Sequence, residues 1–102
     1  MPKPFACDMT AIAAAERPTH HGLIRRLMTE AVEHIDELPD GFAFRFPAAE
    51  YDAVVRFVAD ERLCCPFLRF TLDVEADQGP LQLRLTGAEG AKTFIRAELG
   101  LA

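Results

Sequence analysis

The sequence predicts a two-layer α+β domain, one antiparallel sheet of about four strands with helices on one face, in the order α-β-β-α-β-β-α. Three observations predict it. Apolar residues recur at helical spacing in three separate stretches, they alternate with polar residues in others, and turn-forming runs divide the alternating stretches into pairs. The chain has 102 residues, half of them apolar and 26% charged, which leaves no room for a second core. No repeat or Gly/Ser linker divides it, so residues 1–102 read as one domain with an N-terminal arm over 1–16.

The arm is weakly patterned and ends in a short helical turn, with Thr10 as its expected N-cap. Pro18 suits the first turn of a helix, and Leu23, Ile24, Leu27, Met28 and Ala31 follow at helical spacing. Val32 and Ile35 fit either a continuation of that helix or a strand. The run Glu37-Leu38-Pro39-Asp40-Gly41 is a turn signal, and Phe42, Phe44 and Phe46 alternate after it, which favours a hairpin with strands near 31–37 and 42–46.

Residues 49–64 read as a helix with an apolar stripe of Tyr51, Val54, Val55, Phe57 and Val58, stopped by Pro66. Leu68, Phe70, Leu72 and Val74 then alternate with charged and polar neighbours. After the turn residues 76–80, Leu81, Leu83 and Leu85 alternate in the same way, a half-buried hairpin. Ala91, Phe94, Ile95 and Leu99 mark a closing helix.

Eleven Lys and Arg against sixteen Asp and Glu give a net charge of −5, with no basic run, which disfavours binding to nucleic acid. No stretch is long and apolar enough for a membrane span or signal segment, so a soluble cytoplasmic protein is expected. A domain this small gains from symmetric association, and a homodimer is the expected assembly.

The chemistry concentrates in three cysteines, Cys7 alone and Cys64 beside Cys65. In a reducing compartment this set is a poor disulfide framework. The stripe of the second long helix continues at three- and four-residue spacing through Glu61, Cys64 and Cys65. A carboxylate on an apolar face needs a metal, an imidazolium or an arginine such as Arg17 or Arg69. The two thiols sit at a helix C-terminus, where unpaired carbonyls disfavour a free thiolate and welcome a cation. That position argues for metal binding over catalysis, and Pro66 takes Cys65 out of helical geometry so that both sulfurs can converge. Cys7, Cys64 and Cys65 would suit a zinc, cuprous or mercuric ion, with Glu61 or His20 as fourth ligand or outer partner. His21 is an equal alternative to His20, and both also fit a solvated helix start. A thiol redox protein or sensor using the Cys64-Cys65 pair, with Cys7 as resolving thiol, and a dimeric interaction module are the other readings. No Cys-x-x-Cys, phosphate loop, Gly-x-Ser-x-Gly or His-Glu-x-x-His motif is present.

The stretch Glu61-Arg62-Leu63-Cys64-Cys65-Pro66-Phe67, with Cys7-Asp8 and Glu16-Arg17-x-x-His20 ahead of it, resembles a family of small bacterial proteins that carry a Glu-Arg-x-Cys-Cys-Pro-Phe signature. Related segments are similar to parts of some metal-responsive regulators. The resemblance implies thiol-based metal handling at Cys7, His20, Glu61, Cys64 and Cys65, without a DNA-reading element.

Overall fold

The computed structural model describes residues 8–101. Its elements follow the predicted order: α1 Arg17–Arg26, β1 His34–Leu38, β2 Gly41–Phe46, α2 Tyr51–Cys64, β3 Arg69–Val74, β4 Leu81–Thr86 and α3 Ala91–Glu98. The strands form one antiparallel sheet in the order β1-β2-β4-β3. The two hairpins are thus joined through their second strands, and β1 and β3 are left as the edges.

Short helical turns at Met9–Ala11 and Ala14–Glu16 lead into α1. Thr10 is not the cap of the first turn. The Asp8 carboxylate takes that role, accepting from the Thr10 N–H at 3.0 Å and from its hydroxyl. Pro18 lies in the first turn of α1, where its missing N–H is no loss. The helix widens into a single π-type turn over Leu27–Ala31, closed by the Val32 N–H on the Leu27 carbonyl at 2.9 Å. The chain therefore stays helical through Ala31, and the first strand starts at His34 rather than near 31. Burial of Leu27 and Met28 on the helical stripe decides that boundary.

The sheet has one apolar face. Phe42, Phe44 and Phe46 on β2 stand opposite Leu85, Leu83 and Leu81 on β4, and these stand opposite Phe70, Leu72 and Val74 on β3. With Leu27, Val54, Phe57 and Ile95 from the helices they make the core. The other face carries His34, Asp36, Arg45, Arg84, Gln82, Thr71 and Asp73, the alternation expected of an antiparallel sheet covered on one side. On the helical side Glu37 receives Lys92 at 2.7 Å and Arg96 at 2.8 Å, which ties edge strand β1 to α3.

Two turns depend on particular residues. Gly41 begins β2 so close to β4 that a Cβ there would run into the Leu85 carbonyl. Asp77 and Gln78 both take left-handed backbone, with φ of 58° and 57°, and this matches the right-handed twist of the β3–β4 hairpin.

Candidate metal centre

The buried side of α2 is formed by Val54, Phe57, Glu61 and Cys64, at successive spacings of three, four and three. The first two fill the core, and the last two reach the end of it nearest α1 and α3. Pro66 cannot continue the helix, and Cys65, at φ −126° and ψ 65°, has left helical geometry. Its sulfur is thereby turned back toward its neighbour, and the two Sγ atoms are 3.7 Å apart. The expected convergence of the two sulfurs is present, and at that distance they are not bonded to each other.

α1 supplies the partner of Glu61. His20 is 1% exposed, its ring stacked on Phe57 at 6.2 Å, and its Nε2 is 2.9 Å from Glu61 Oε2. His21, one residue on, is exposed, so the solvated helix start describes His21 and not His20. Glu61, also 1% exposed, accepts from the Cys65 thiol at 3.1 Å through Oε1, and the Cys64 sulfur is 3.7 Å from the same oxygen. Arg17, one expected neutraliser of Glu61, donates its Nε–H to the Ile12 carbonyl at 3.1 Å.

Cys64 is disulfide-bonded, and Cys65 is the free thiol of the described residues. The expectation of three reduced cysteines is corrected at this position. Cys7 lies outside the described residues. The chain passes beside the site directly after it, because the Asp8 N–H donates to the Cys64 carbonyl at 2.8 Å. Ile12, Phe67, Leu68 and Phe94 cover the two cysteines, with the rings of Phe67 and Phe94 edge to face at 5.0 Å.

The electrostatics follow from this enclosure. Burial first, then the Glu61 carboxylate, pushes the Cys65 thiol far above the ordinary thiol range, so the group is held protonated. Glu98 on α3 is also raised, first by burial and then by Glu61, while His21 and His20 pull it down. Glu98 and Asp60 were not singled out from sequence. Glu98 carried a readable signal, since it lies three residues after Ile95 and four after Phe94 on an apolar stripe, as Glu61 does on its own. Asp60 carried none. It adjoins Glu61 but faces away from it, and its Oδ2 is 3.9 Å from His20 Nδ1.

That nitrogen is the unusual atom of the site. His20 Nδ1 is buried and has no hydrogen-bond partner among the described residues. A buried polar atom left unpaired costs roughly 1–3 kcal/mol.

No protein-family model, curated protein or solved structure matches this chain. The geometry alone supports a limited statement. Buried His20, Glu61 and Cys64 bring one donor atom each within 4.8 Å of one another, and the group could hold a metal ion. No helix among the described residues is long and apolar enough to cross a membrane.

Proposed function

We propose that this centre binds one soft or borderline metal ion when its cysteines are reduced, in a cytoplasmic protein whose role is metal handling. Cys64, Cys65, Glu61 and His20 are the donors, and Cys7 is a further thiolate available to a zinc, cuprous or mercuric ion. The resemblance to the small bacterial Glu-Arg-x-Cys-Cys-Pro-Phe family supports the same donor set.

The observation that carries the proposal is the state of His20. Its Nε2 faces Glu61, while its unpaired Nδ1 faces Asp60. A histidine that ligates a metal through one nitrogen carries its proton on the other and donates it to a carboxylate. Metal at Nε2 would put that proton on Nδ1, about 1 Å beyond hydrogen-bond range of Asp60. A shortening of that distance on metal binding would give Nδ1 the acceptor it lacks. The sulfurs agree in spacing, because two thiolates about 2.3 Å from a tetrahedral ion lie roughly 3.8 Å apart, against 3.7 Å between Cys64 and Cys65. A divalent cation also offsets the charge of two thiolates and a buried carboxylate.

The test is titration of the reduced protein with Co(II), followed by its visible spectrum. A tetrahedral site with thiolate donors gives intense d–d bands and sulfur-to-metal charge transfer that saturate at one equivalent and are displaced by zinc. Octahedral, weakly coloured Co(II) contradicts the proposal.

A second reading, a thiol redox protein, is favoured by the disulfide at Cys64. It requires a reactive thiolate, and the environment of Cys65 works against one there. Alkylation rates against pH separate the two, since a redox thiol reacts as a thiolate near neutral pH.

A further inference from the structure

We propose that the free edge of β3 pairs with β3 of a second copy of this chain, about a two-fold axis at Thr71, to form one continuous sheet across a homodimer. β3 pairs with β4 alone, so its outer N–H and C=O groups are open to a further strand. What selects the occupant is the sequence of that edge, Leu68-Arg69-Phe70-Thr71-Leu72-Asp73-Val74, which is complementary to itself when reversed.

In an antiparallel pair, residues directly opposite share a face. Centring the two-fold on Thr71 places Arg69 opposite the partner's Asp73, Phe70 opposite the partner's Leu72, and Thr71 opposite the partner's Thr71. Leu68, just before the strand, falls opposite the partner's Val74. Every apolar pair is then on the helix-covered face, and both charge pairs are on the open face. Exposed Arg69 forms no ion pair among the described residues, and Asp73 faces Arg84 at 3.0 Å on the same open face.

Shape agrees with charge. Val74 is 56% exposed, the most exposed large apolar residue described. A groove of about 400 Å³, lined by Val58, Arg62, Pro66, Leu68 and Phe70, opens at the other end of β3. The two-fold brings Val74 of each copy to the groove of the other. Tyr51 and Val55, also exposed, extend the apolar surface along α2. The opposite edge does not offer this. Centring a two-fold on Asp36 or Glu37 of β1 sets like charges against each other, and centring on Ile35 opposes Glu33 to the partner's Glu37.

Sedimentation analysis of the full chain across a concentration series tests the proposal, using Arg69→Glu and Asp73→Arg singly and mixed. Wild type is expected to dimerise. Each variant alone sets like charges opposite one another twice, and is expected to dissociate roughly tenfold more readily. An equimolar mixture restores both opposite-charge pairs and is expected to dimerise as wild type does. Val74→Glu, at an exposed position, gives an independent weakening if either charge variant fails to fold. Wild type that stays monomeric throughout overturns the proposal. So do charge variants that dimerise unchanged, or a mixture no tighter than its components.

Discussion

Glu61→Gln separates a metal ligand from a structural carboxylate. In the metal-free protein the substitution keeps the shape of the side chain and one acceptor for His20 Nε2, now 2.9 Å from Glu61 Oε2. A hydrogen bond to a charged group is worth about 1.5–3 kcal/mol and a neutral one about 0.5–1.5, so roughly 1–1.5 kcal/mol is lost. Against this, a carboxylate that is 1% exposed is no longer buried as an ion, which relieves a penalty of several kcal/mol before pairing is counted. The two effects oppose, and reduced, chelator-treated Glu61→Gln is expected to unfold within about 1 kcal/mol of wild type in urea. Metal affinity behaves differently. Removing even an outer partner of a ligand costs roughly 10–100-fold, so losing the anionic donor itself is expected to cost at least the upper end of that range. Competition against a chromophoric zinc chelator reads the affinity. A variant that loses more than about 2 kcal/mol of metal-free stability and binds zinc as wild type does would refute the ligand role and leave Glu61 as a structural partner of His20.

Three further outcomes are expected. Protein kept oxidised should take up no metal until a reductant opens the Cys64 disulfide, and the free-thiol content of unfolded chain should rise on reduction. Metal uptake that ignores reduction would contradict this. Asp60→Asn should leave the reduced fold intact and weaken metal binding roughly 10–100-fold, because the acceptor facing His20 Nδ1 loses its negative charge; unchanged affinity removes Asp60 from the centre. The Arg26 guanidinium hydrogen-bonded to Glu50 holds that carboxyl below its ordinary range. Its stabilisation is therefore present above the unfolded glutamate pKa of about 4.3 and lost as pH falls through the lower folded value. Glu50→Gln should flatten acid unfolding curves by well under about 1 kcal/mol, as both side chains are partly exposed.

The fold was legible wherever one periodicity governed a stretch. Alternation in Phe42, Phe44 and Phe46 and in Leu81, Leu83 and Leu85 found the two central strands, whose faces differ most. Residues 31–37 were ambiguous because β1 is a largely exposed edge strand, tied to α3 by a charge, Glu37 on Lys92 and Arg96. The centre was half legible. Glu61 and the cysteines announced themselves as polar groups on an apolar stripe, whereas the burial of His20 over His21 depends on how α1 crosses α2, which spacing within one helix does not encode. Asp60 could not be read at all, since it serves the site only through a ring that comes from another helix.

Metal content of freshly purified, reduced protein, compared with its Cys65→Ser variant, tests the central claim most directly. One zinc, copper or mercury equivalent per chain in the wild type, lost or sharply reduced in the variant, is the expected result. Wild-type protein without stoichiometric metal, whose thiols are alkylated at the same rate with and without added zinc, cuprous or mercuric ion, would contradict it.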